Sequence, residues 1–100
     1  MTTLYIQEYA KLAGDDMGKP VQAGQEPALA SQTVAIGGAS VQSAAFNART
    51  EFVRVHTDVI CSVKFGANPT ATTSDARMAA DATDHFGVKG GDKVAVISNT

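Results

Sequence analysis

The stretch Thr50 to Phe65, TEFVRVHTDVICSVKF, is the longest run in the chain that is dense in β-branched and aromatic residues. As one extended strand it would reach roughly 50 Å at about 3.3 Å per residue, whereas a compact domain of this length has a radius of gyration of about 13 Å. The run is therefore expected to fold back on itself, and Thr57-Asp58 is its only polar break. A two-residue loop would set Val55 opposite Ile60 and Val53 opposite Ser62, mixing the faces. A three-residue loop of His56, Thr57 and Asp58 sets Val55 opposite Val59, Val53 opposite Cys61 and Glu51 opposite Val63, with Phe65 extending the dry face. Phe52, Arg54, Ile60, Ser62 and Lys64 fall on the other side. This pattern predicts the central hairpin of an antiparallel sheet with one side on the core.

Working outward, Ala28 to Ile36 and Ala39 to Phe46 flank Gly37-Gly38 and read as a second hairpin carrying Leu29, Val34, Ile36, Val41 and Phe46. Nearer the N-terminus, Thr3 to Ala10 alternates Leu4, Ile6 and Glu8 against Tyr5, Gln7 and Tyr9, which fits a strand or extended arm. A helix through Leu12 stays open, because Glu8, Ala10 and Lys11 are good helix formers. Gly14-Asp15-Asp16 and Gly18-Lys19-Pro20 break either element, so Ala13 to Pro27 reads as a long loop of the kind used for contacts. After Phe65 come the loop GANPTATTS, a short strand or single helical turn within Asp75 to Ala80 (strand preferred), and a strand Thr83 to Val88 with Phe86 and Val88 on one side. A turn at Lys89 to Asp92 leads to a closing strand, Lys93 to Ser98, with Val94, Val96 and Ile97. The expected fold is all-β: a single-domain antiparallel β-sandwich or jelly-roll-like barrel of seven to eight short strands. It divides into residues 1–26, an N-terminal strand or arm plus a long loop, and residues 27–100, the sandwich body.

The net charge is −2, and the eight Lys and Arg are scattered rather than gathered in a stripe, which argues against a nucleic-acid partner. Much of the 44% apolar content is alanine, so the core is small and burial gained by assembly is favoured. Cys61 is the only cysteine; no intrachain disulfide can form, and it reads as a small buried hydrophobe. The start MTTLYIQEYA lacks the basic end and apolar centre of a signal peptide, and no stretch approaches the ~18 apolar residues of a membrane span. Synthesis in a cytoplasm and no membrane partner are expected.

His56, His85 and Cys61 are the soft metal ligands, and without a short-spaced pair among them no metal site is expected. His56 is expected solvated in a turn and His85 on an exposed strand face. The GxSxG elbow of a nucleophile is absent. Asp15-Asp16 lacks the spaced ligands of a calcium loop and reads as a solvated turn. Gly37-Gly38 and Gly90-Gly91 are not followed by a helix start with a Lys-Ser/Thr pair, so they read as turn glycines rather than phosphate cradles. No catalytic residue and no cofactor are expected. Sugar binding is the rival class, since small β-sandwiches often carry it, although there is no Trp and only Tyr5 and Tyr9 could supply flat aromatics.

Two segments, SVQSAAFNARTEFVRVHTDVICSVKFGANPTAT and DHFGVKGGDKVAVI, resemble small β-sandwich structural proteins encoded in the virion modules of tailed bacteriophages. The likeness spans roughly Ala28 to Ile97: a hairpin like Phe52 to Phe65, an FG-x-NPTAT loop, then a segment ending FGV…GDKVAVI. No catalytic motif belongs to the pattern. The resemblance implies a non-enzymatic capsid decoration or cement protein lying across joints between major capsid protein subunits, with a neck or tail component as a close variant. It also implies the major capsid protein and further copies of the chain, as dimer or trimer, for partners, and the capsid surface of the virion, assembled in the host cytoplasm, for location. Leu4, Tyr5, Ile6 and Tyr9 are then expected at the partner interface, adding a strand to a neighbouring sheet edge. Removing residues 2–12 would on that reading abolish assembly and leave the sandwich folded. The other class is a stand-alone β-sandwich module that binds a glycan or small ligand.

Overall fold

A computed structural model describes residues 2–99 of the chain. In chain order its strands are β1 (Thr3–Tyr9), β2 (Leu12–Gly14), β3 (Pro20–Gly24), β4 (Ala30–Ala35) and β5 (Val41–Gln42). There follow β6 (Phe52–Thr57), β7 (Cys61–Gly66), β8 (Ala76–Met78), β9 (Thr83–Gly87) and β10 (Lys93–Ser98). One four-stranded sheet has the order β4-β1-β6-β9 and the other β5-β10-β7-β8; β2 and β3 form a separate ribbon. Every pairing is antiparallel. The molecule is an all-β sandwich, with ten strands among the described residues where seven or eight were expected.

The Thr50–Phe65 run does fold back, but not as a hairpin. β6 pairs with β1 and β9, setting Val55 opposite Ile6 and Asp84, while β7 pairs with β10 and β8, setting Val63 opposite Val96 and Ala76. The chain arches from one sheet to the other, so Val53 and Cys61, both fully buried, enter the core from opposite layers instead of lying side by side. Alternation reports which side chains are dry, not which strand lies alongside, and an arch leaves the same alternation as a hairpin. Thr57 holds the bend: its Oγ1 donates to the Val59 carbonyl at 2.6 Å and accepts from the Val59 N–H at 3.3 Å. Gly37-Gly38 marks a second crossing, since β4 and the two-residue β5 belong to different sheets. Of the expected strand Ala39–Phe46 only Val41–Gln42 is regular; beyond it the backbone still bonds toward β10, Ser43 N–H to the Val94 carbonyl (2.8 Å) and Phe46 N–H to that of Asp92 (2.8 Å), without forming a continuous ladder.

Thr3–Tyr9 is a strand and not a helix, and it lies in the interior of its sheet with β4 on one edge and β6 on the other. The expected division at residue 26 into arm and body therefore does not describe the molecule: β1 is part of the body. Residues 1 and 100, the outer ends of those two segments, lie outside the described residues. Ala13 to Pro27 is not simply a loop either. Its ribbon turns at Asp15–Lys19, where Asp15 N–H donates to the Lys19 carbonyl (2.8 Å) and Asp15 Oδ1 accepts from the N–H groups of Met17 and Lys19 (both 2.8 Å). Gly18 takes the left-handed φ of 78° this turn needs.

Between the sheets pack Leu4, Ile6, Val34, Val53 and Val55 from one side and Cys61, Val63, Met78, Val94 and Val96 from the other, with Phe46 closing the layer. Phe65 and Phe86 meet at one end, ring centroids 4.8 Å apart, half-buried against this core. The outer face of the β5-β10-β7-β8 sheet is covered by the Asn68-Pro69 loop. Gln42 Nε2 donates to Asn68 Oδ1 (2.8 Å) and to the Pro69 carbonyl (2.7 Å), the Ala71 N–H donates to Ser40 Oγ (2.8 Å), and Pro69, Ala71, Ser62 and Ala95 are buried.

Candidate functional site

The four residues expected at a partner interface divide sharply. Leu4 and Ile6 are fully buried core residues and Tyr9 is buried, so these three are unavailable to a partner; Tyr5, 38% exposed, faces outward beside His56. With both edges of β1 already paired, the strand cannot extend a neighbour's sheet. The same alternation that suggested an amphipathic arm is that of an interior strand with one face on the core. Removing residues 2–12 would take out this strand, so the sandwich would not survive the deletion.

Tyr9 points to the outer side of its sheet and is buried by the ribbon. Its ring stacks on Phe52 at 5.3 Å, its hydroxyl donates to Glu26 Oε2 at 2.7 Å, and Gly24 lies over the ring. Burial, and next the Glu26 carboxylate, push the Tyr9 pKa above the ordinary 10.0. Beyond this anchor the ribbon pairs with neither large sheet and leaves Leu12 (41%), Met17 (82%) and Val21 (37%) exposed. Where the ribbon meets the body, Leu12, Ala23, Gly24, Phe52 and Phe86 line a shallow trough with His85 at its margin.

A second open surface is the free edge of β4, which pairs only with β1. Its sequence ASQTVA has no charge and no proline, the devices that usually protect an edge, and Ser31, Thr33 and Ala35 are exposed. Gln32 in the same strand clamps the crossing segment, donating to the Ala44 carbonyl (3.3 Å) and accepting from the Ala44 N–H (2.9 Å).

Glu8 is buried on the inner side of β1, where its Oε1 accepts from the Asn47 N–H (2.7 Å) and the Thr50 hydroxyl (2.8 Å) and its Oε2 from Gln32 Nε2 (3.3 Å). This carboxylate fixes the segment between β5 and β6 to the sheet, a structural task.

Cys61 sits in the core with its thiol 3.5 Å from Thr57 Oγ1, and burial raises its pKa more than that contact lowers it. His85 is exposed on β9, paired with Arg54. His56 is half-buried at the end of β6, its Nδ1 2.8 Å from the Thr83 hydroxyl, rather than free in a turn. Neither His85 nor Cys61 joins it; Asp58 of the arch and Asp81 of the β8–β9 connection do, with donor atoms of all three within 4.8 Å of one another. Only the short spacing of His56 and Asp58 hinted at this grouping, because Asp81 arrives through the fold.

No protein-family model matches the chain, and neither do any curated protein or solved structure.

Proposed function

We propose that the chain is a non-enzymatic structural protein of a tailed-bacteriophage particle, a head decoration or cement protein that associates with copies of itself and binds across joints between major capsid protein subunits. The observation that carries this reading is the β2–β3 ribbon, a two-stranded finger seated over Tyr9 that leaves Met17, and in part Leu12 and Val21, exposed. Met17 in particular, 82% exposed, would gain burial by meeting another molecule. The uncharged edge of β4 offers backbone donors and acceptors for a second copy. The sequence likeness to phage virion proteins supplies the partner.

Light scattering during size-exclusion chromatography, followed by co-sedimentation with undecorated heads, tests the reading. Saturable binding of an oligomer to heads is expected. A monomer that ignores heads but is retained by immobilised glycans would replace it with the ligand-binding module.

A further inference from the structure

The geometry points to a divalent transition-metal site built by His56, Asp58 and Asp81, an inference independent of any role on a capsid. The three donors come from the end of β6, the β6–β7 arch and the β8–β9 connection, and their ligand atoms all lie within 4.8 Å of one another. First-row ions bind imidazole nitrogen and carboxylate oxygen at about 2.0–2.2 Å, and one nitrogen with two oxygens suits zinc or its neighbours better than calcium or magnesium, which favour all-oxygen shells. Asp81 is exposed, so its carboxylate is free to turn the short distance that closes the set.

The frame is fixed before any ion arrives. The Thr57 N–H donates to the Ala82 carbonyl (3.1 Å), the Asp58 N–H to that of Thr3 (3.2 Å) and the Ala82 N–H to that of Ala79 (3.2 Å), which ties all three segments together. His56 Nδ1 is 2.8 Å from Thr83 Oγ1. Of the two tautomers, the one that donates from Nδ1 to that hydroxyl leaves a lone pair on Nε2, an arrangement in which ligand histidines are commonly held. Asp81 adopts φ 58°, a left-handed conformation that aspartate tolerates better than most residues. A bound ion would clip the arch joining the two sheets to the connection that enters β9, with water completing its coordination.

The test is calorimetric titration of the purified chain with zinc chloride, and separately with magnesium chloride, alongside thermal melts and NMR of the imidazoles. Expected are one zinc bound per chain, a melting temperature raised by zinc and not by magnesium, and a shifted His56 resonance with His85 unmoved. Asp81→Asn, which keeps the backbone preference and folds normally, should weaken zinc binding at least tenfold, and His56→Ala should do the same. Zinc binding unchanged in Asp81→Asn, a response that follows His85, or no zinc binding at millimolar concentration would each overturn the proposal.

Discussion

The Tyr9 hydroxyl donates to Glu26 Oε2 at 2.7 Å, joining the end of β1 to the segment that leaves the ribbon. Because the same ring stacks on Phe52 of β6, one side chain locks the exposed ribbon to the middle of a sheet. The ribbon's attitude is thus set by the body.

Tyr9 also gives the fold an alkaline limit. Its folded pKa is raised, by burial first and then by Glu26, above an unfolded value of about 10. Its contribution should be fully present below pH ~10 and be lost as pH rises through the folded value. Urea melts across that range should show the decline in the native chain. In Tyr9→Phe that part of the decline should vanish, with a loss of about 1 kcal/mol at neutral pH.

Two glycines should resist substitution for different reasons. A Cβ on Gly24 would lie 2.5 Å from Cδ1 of the Tyr9 ring, which is held by Phe52 and Glu26, so Gly24→Ala should cost about 1–3 kcal/mol and loosen the ribbon. A Cβ on Gly90 would lie 2.6 Å from the Ala48 carbonyl carbon. Backbone must move there, and Gly90→Ala should cost about 3 kcal/mol or more. Thermal melts rank the two, and proteolysis within residues 11–25 should quicken only in the Gly24 variant.

Glu8→Ala should destabilise by about 1–3 kcal/mol, since it strands the buried Thr50 hydroxyl and frees the Asn47 N–H at the margin of the site. Glu8→Gln keeps the shape, and with its oxygen toward Asn47 and Thr50 its amide opposes only the longer Gln32 contact, so a smaller loss is expected. Chemical denaturation of both variants checks the order.

The Cys61 thiol is fully buried with a raised pKa. Its labelling by a thiol reagent at neutral pH should proceed only through opening of the core, and with reagent in large excess should level off at the unfolding rate measured in denaturant. Fast labelling under native conditions would contradict its place in the core.

Parts of the fold are legible in the sequence. Lys93–Ser98 reads as a strand from its run of β-branched side chains, Thr3 to Ala10 alternates as a strand or arm does with a helix left open, and Thr57-Asp58 marks a reversal. What alternation does not encode is partnership: Val53 and Cys61 are both dry whether the chain makes a hairpin, with the two side by side in one sheet, or an arch, with the two facing from opposite sheets. It was equally silent on Leu4, Ile6 and Tyr9, because an interior strand and an amphipathic arm differ only in what lies beside them. The ribbon escaped notice since its strands have no inward face to impose a period. The His56, Asp58 and Asp81 group escaped because the fold, not the spacing, brings Asp81 in.

On the proposed reading, the exposed apolar side chains of the ribbon meet the capsid. Met17→Ser and Val21→Ser combined should leave the melting temperature within a few degrees of the parent chain, because neither lies in the core or lines the trough between ribbon and body. Co-sedimentation of this variant with undecorated heads is the direct measurement. At least a tenfold fall in occupancy relative to the parent chain is predicted, and undiminished occupancy by the folded variant would contradict the account.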